Sequence, residues 1–125
     1  MTRILIASLP AWAILWVAFS IGSAALGAEC AGRIVKASWY GTESGSRTAT
    51  GDHFDGSSLT AAMPSRKHFG ERYRVTFRGK SVTVRINDLG PHKSLGRGID
   101  LSRAAADKIG MRRAGVAKVC IERVR

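Results

Sequence analysis

Cys30 and Cys120 are the only cysteines in this chain of 125 residues, and no Cys or His cluster falls at metal-ligand spacing. That absence excludes a metal centre built from sequence-adjacent ligands, and neither metal nor cofactor is expected. A glycine-rich phosphate-binding loop is missing as well, as is any credible Ser-His-Asp order, so phosphate-cradle and serine-nucleophile chemistry have no carriers. No internal repeat or low-complexity tract is present. Acidic residues are scarce: nine Asp and Glu stand against twenty Lys and Arg, for a formal charge of +11 at pH 7. Such a surface suits polyanions. The cations are scattered singly, with only Arg66-Lys67 and Arg112-Arg113 adjacent, which also fits a solvated basic face, and nucleic acid is not the expected partner.

Charge is also missing from Ile4 to Ile21, an apolar run that follows Arg3 and leads into Gly22-Ser23-Ala24-Ala25-Leu26-Gly27-Ala28. A basic residue, an apolar stretch and small residues at Ala25 and Gly27 form the pattern of an export signal cleaved after Gly27 or Ala28. Residues 1–28 are therefore read as a signal peptide, and residues 29–125 as one domain. The competing reading is an uncleaved anchor, since eighteen apolar residues just suffice to span a bilayer; the membrane would then be met only through this segment. Either way the domain is exported to the periplasm or cell envelope, where anionic wall polymers are the first polyanions it meets. In an oxidising compartment Cys30 and Cys120 are expected to pair and close nearly the whole domain; two unpaired buried thiols are the alternative.

What remains is a succession of short strands. Arg33 to Tyr40 alternates weakly and ends at Gly41; a long Gly-, Ser- and Thr-rich loop follows to Ser58; Ser58 to Met63 reads as one short helical turn stopped by Pro64. Arg72 to Phe77 and Ser81 to Asn87 are strands joined by a hairpin turn at Arg78-Gly79-Lys80. Ser102 is a good N-cap for a helix over Arg103 to Ile109, with Gly110 closing it, and Val116 to Val124 is the last strand. Five or six strands with one or two short helices make a mainly β chain, a small barrel with inserted helices.

Two carboxylates stand out within this frame. Asp88 follows the alternating strand Val82-Thr83-Val84-Arg85-Ile86 and sits at its end in Asn87-Asp88-Leu89-Gly90-Pro91, while Asp100 immediately precedes the Ser102 helix. Each also has an ordinary role, Asp88 in its turn and Asp100 at the helix start. Asp52 adds a third acid in the long loop. Trp39 and Tyr40 place two aromatic rings side by side at the end of the first strand, and Arg85 and Arg97 lie close in sequence to the two acids.

Six segments occur in order: Ala37-Ser38-Trp39-Tyr40-Gly41, Arg47 to Asp55, Leu59-Thr60-Ala61-Ala62, Phe69-Gly70, Val82 to Pro91, and Gly96 to Ser102. Together they resemble the rare lipoprotein A (RlpA) family, septal ring lytic transglycosylases with a double-psi β-barrel of the kind also seen in expansins. The resemblance spans Ala37 to Glu122 and implies a six-stranded double-psi barrel acting on peptidoglycan glycan strands. The implied reaction is endolytic cleavage between N-acetylmuramic acid and N-acetylglucosamine in stem-poor strands, leaving 1,6-anhydro ends. It also implies Asp88, Asp100 and Asp52 as the catalytic acids, with Trp39, Tyr40, Arg85 and Arg97 contacting substrate. Envelope or divisome proteins are possible further partners. Asp52 stands where the family has glutamate, and Met63 where it has a histidine. Because Met63 transfers no proton, the alternative is an expansin-like, non-catalytic peptidoglycan-binding module.

Overall fold

Alternation of apolar and polar residues fixes which side of each strand faces inward. Strand β1 (Arg33–Tyr40) turns Ala37 in and Ser38 out; β3 (Arg72–Phe77) buries Tyr73, Val75 and Phe77; β4 (Lys80–Leu89) buries Val82, Val84 and Ile86. With β2 (Thr60–Met63), β5 (Ile99–Ser102) and β6 (Ala117–Val124), they close into a six-stranded barrel in the order β1-β5-β2-β4-β3-β6. The pairs β1/β5 and β2/β4 are parallel and the other four antiparallel. Closure leaves no open sheet edge. This computed structural model describes residues 30–41 and 45–125; the expected signal segment, residues 1–28, lies outside the described residues.

The interior is a single apolar cluster. Ala37, Ala61, Val75, Val84, Ile99 and Leu101 are fully buried, and Ile109 and Met111 join them from beyond the short helix α1 (Arg103–Lys108). Ser102 caps that helix, its hydroxyl accepting from the Ala105 N–H at 3.2 Å and donating to the Ser58 carbonyl at 2.6 Å. One hydroxyl thus ties the helix to the segment entering β2.

That segment corrects one expectation. Thr60 to Met63 is a strand and not a helical turn, with all four residues buried. Alanine and methionine favour helix in isolation, but β4 on one side and β5 on the other pair with this segment. Two ladders of hydrogen bonds override the local propensity. Ile99 to Ser102, read only as the approach to a helix, is likewise a strand, paired with β1 and β2, and elsewhere the boundaries move by one or two residues. The hairpin between β3 and β4 turns at Arg78 and Gly79, both at positive φ (47° and 80°), the primed geometry that suits strand twist. Arg78 accepts this backbone while its guanidinium lies 4.8 Å from the centre of the Phe77 ring.

Cys30 and Cys120 form a disulfide across 90 residues of sequence, with Cα atoms 5.7 Å apart. Antiparallel pairing of Ile34 with Cys120 brings the two ends of the domain together. In the chain-entropy model a loop of this size stabilises the fold by about 4–5 kcal/mol. Replacing both cysteines with serine should therefore lower the midpoint of thermal unfolding, followed by circular dichroism, by on the order of 20–25 °C. An unchanged midpoint would show that the strand pairing holds the ends without the bond.

Candidate active site

The two acids converge through β2. Ala62 is the register partner of Asp88 in β4 on one side and of Asp100 in β5 on the other, and Asp100 in turn pairs with Ser38 of β1. One row, Ser38, Asp100, Ala62 and Asp88, thus crosses four strands. Two strand spacings separate the acids' Cα atoms by roughly 10 Å, so they bracket Ala62.

Alternation alone would not put Asp88 there. Ile86 faces the core, so Asp88, two residues on, would follow it inward. Instead the β2–β4 register shifts between Ala61 and Ala62: Ala61 pairs with Ile86, but Ala62 pairs with Asp88, leaving Asn87 as an extra residue. Such a bulge turns the next side chain to the opposite face. Asn87 and Asp88 both reach the loop that covers this face. The Asn87 amide donates to Asp52 Oδ2 at 3.3 Å, and Asp88 Oδ1 accepts from the Ala49 N–H at 2.9 Å.

Asp88 is held through both oxygens. Oδ1 also accepts from the Leu89 N–H at 2.9 Å, and Oδ2 accepts from the Tyr40 hydroxyl at 3.3 Å. Asp100 Oδ1 accepts from Ser38 Oγ at 2.9 Å. Both carboxylates are half-buried, whereas Tyr40 is buried and stacks on Phe54 with ring centres 4.8 Å apart and planes 15° from parallel. Burial first, then the charges of Asp88 and Asp100, push the Tyr40 phenol well above its usual range. The phenol is a neutral hydrogen-bond donor at neutral pH.

Asp52 anchors the loop against β4. Its Oδ2 accepts from Arg85 at 2.8 Å as well as from Asn87, and these two hydrogen bonds, Arg85's first, hold its carboxyl below the usual range. The Thr50 N–H donates to the Asn87 carbonyl at 3.2 Å, adding a backbone tie. Arg85, directed to Asp52, is thus part of the loop's fastening. Arg97 is half-buried in the turn before β5. Trp39 points to the other side of β1 from Tyr40, packs against the main core, donates its indole N–H to the Arg112 carbonyl at 3.0 Å and lies under the Arg112 guanidinium. The structure therefore brings Asp88, Asp100, Asp52, Tyr40 and Arg85 together, and leaves Trp39 on another face.

Met63 is 1 % exposed in the core, so it supplies nothing to the carboxylate face that its neighbour Ala62 shares. His68 is engaged with Glu71 and Tyr73. Ser38, Asn87 and Phe54 were not singled out by sequence reasoning, although Ser38 and Tyr40, two apart in a strand, were bound to share a face. A shallow depression lined by Pro64, Leu89, Gly90, Pro91 and His92 opens just past Asp88. A larger groove beside the disulfide, bordered by Ile34, Phe77 and Val116, contains one carboxylate, Glu122, which is paired with Arg74. Chemistry points to the shelf around Asp88 over the bigger concavity.

The closed six-stranded barrel, with its bracketed pair of acids on the outer face, places the chain among small double-psi β-barrel domains. Residues 33–121 match the family model described as "Lytic transglycolase", and the chain belongs to that family. It is 48 % identical over 89 residues to a protein of Synechocystis named "Probable endolytic peptidoglycan transglycosylase RlpA", an alignment covering 69 % of this chain and 27 % of that one. The similarly named "Endolytic peptidoglycan transglycosylase RlpA" of Vibrio cholerae is 47 % identical over 91 residues, covering 70 % and 34 %. The match thus spans about a third or less of these relatives' length. Among solved structures, the Streptomyces papain inhibitor is similar, with a TM-score of 0.61 and 26 % identity over 75 % of this chain and 96 % of that one.

Because Asp52 has a depressed pKa in the folded state, its fastening of the loop is present above the unfolded carboxyl value of about 4 and is lost as pH falls through the folded value. Protection of the Thr50 amide against hydrogen exchange, corrected for intrinsic rate, should fall as the pH is taken from about 5 down through and below the usual carboxyl range. In Asp52→Asn it should already be low at pH 5. Equal protection in both proteins at pH 5 would remove Asp52 from the fastening.

Proposed function

We propose that residues 29–125 form the catalytic domain of an endolytic peptidoglycan lytic transglycosylase, exported by residues 1–28 and acting in the cell envelope. The observation that carries this reading is the convergence of Asp88 and Asp100 on either side of Ala62, with both carboxylates still partly exposed beside the loop. Family membership and the two relatives' names support it. The formal charge of +11 favours approach to an anionic wall polymer.

Glycosidic cleavage begins when a carboxylic acid protonates the leaving oxygen. In the transglycosylase route Asp88 gives its proton to the glycosidic oxygen as the bond from that oxygen to C1 of N-acetylmuramic acid breaks. The same sugar's C6 hydroxyl oxygen then bonds to C1, and its proton passes to Asp88. The acid is regenerated, no water is consumed, and a 1,6-anhydro end remains. Asp100, fixed by Ser38, faces the developing positive charge on the sugar and stabilises it electrostatically. The depression past Asp88, with Leu89 and two prolines, gives a sugar ring an apolar wall.

Met63 lies in the core, so nothing at that position shares the proton work, which falls to the acids. Mass spectrometry of purified, stem-stripped glycan strands incubated with the domain should detect anhydro-muramyl ends. Asp88→Asn should reduce their formation by at least about 10²-fold while sedimentation with sacculi is retained. A native domain that sediments with sacculi but forms no anhydro ends would establish the binding module instead.

A further inference from the structure

The two oxygens of Asp88 are not equivalent. Oδ1 accepts two backbone N–H groups, from Ala49 and Leu89, each at 2.9 Å, which occupies both of its lone pairs. Oδ2 receives only the Tyr40 hydroxyl among the described residues, leaving one lone pair for a proton. A carboxylic acid held this way carries its transferable proton on Oδ2. The hydroxyl that meets Oδ2 belongs to a ring with little freedom: Tyr40 is 7 % exposed, stacked on Phe54, and packed with it over Ala62.

From this asymmetry the geometry points to Tyr40 as a positioning residue that holds Asp88 Oδ2, and the proton on it, in the direction of the glycosidic oxygen. The assignment rests on the transglycosylase reading above and replaces a sugar-stacking role, because the Tyr40 ring face is already covered by Phe54. Its hydroxyl donates to Oδ2 whether or not that oxygen is protonated, so it can hold the acid in place both before and after the proton leaves. Among the described residues, Asp100 on β5 lies beyond Ala62, the Asp52–Arg85 pair fastens the loop next to Asn87, His92 lines the depression past Asp88, and β2 contributes no charge. Among the described residues, Tyr40 is the group that bonds the reacting oxygen.

Tyr40→Phe keeps the stack on Phe54 and removes only the hydroxyl. On stem-stripped strands of defined length it should lower kcat by about 10–100-fold, the range for a misoriented reacting group, and leave KM within about twofold. Near-UV circular dichroism should be unchanged. Phe54→Leu, which frees the ring but keeps the hydroxyl, should lower kcat by a smaller factor in the same direction. Independently of turnover, the Tyr40 phenol, followed by carbon NMR of its ring Cζ, should titrate at lower pH in Asp88→Asn than in the native domain. Asp100→Asn should lower it less. A Tyr40→Phe domain with native kcat, or a phenol titration indifferent to Asp88→Asn, would overturn the assignment. A native domain that forms no anhydro ends overturns the proposed function itself, and the titration then still judges the contact.

Discussion

A one-residue slip between β2 and β4 is the constraint on which the carboxylate face depends. Parallel pairing carries Thr60 with Arg85 and Ala61 with Ile86, then skips Asn87 and resumes at Asp88 with Ala62. Without the slip Asp88 would follow Val84 and Ile86 into a core that has no partner for a charge. With it, Asp88 stands in one row with Asp100 and within reach of Tyr40. The extra residue has its own work, since Asn87 binds the covering loop through both its amide and its carbonyl. Its Oδ1 is buried without a protein partner among the described residues.

Barrel closure makes the slip tolerable. Because β2 is paired on both sides, a local fault in one ladder is held by the other, and the disulfide fixes the far side where β1 and β6 meet. The loop then lies over the finished face, fastened by Asp52 to Arg85 and Asn87 and by Phe54 to Tyr40. These contacts are local and largely polar. Each of them ends within one residue of either Asp88 or its hydroxyl partner, or on the strand that carries Asp88, so the loop orders the site as it docks.

Much of this was legible in the residues. The alternation of Arg33 to Tyr40 and Arg72 to Phe77 marks β1 and β3 to the residue, and Ser102 with Gly110 marks the helix ends. Strand β2 was not legible, because Thr60-Ala61-Ala62-Met63 has the local preference of a helix and becomes a strand only between two neighbours. The slip at Asn87 was equally invisible: period-two reading sends Asp88 to the wrong face, and nothing in Ile86-Asn87-Asp88 signals the extra residue. Resemblance to the family joined Asp88 to Asp100; periodicity could not. The separation of Trp39 from Tyr40 was available from alternation, and it is Tyr40 that lies beside Asp88 while Trp39 lies with Arg112.

The account stands on sugar meeting protein at the outer-face row and nowhere else on the barrel. A crystal structure of the Asp88→Asn domain with a bound stem-free glycan oligosaccharide tests this most directly. The scissile oxygen should lie within hydrogen-bond distance of the residue 88 side-chain atom that also meets the Tyr40 hydroxyl, with Asp100 facing C1 of the same sugar. Sugar density beside Trp39 and Arg112, or in the groove along the disulfide, with the face around Asp88 empty, would contradict it.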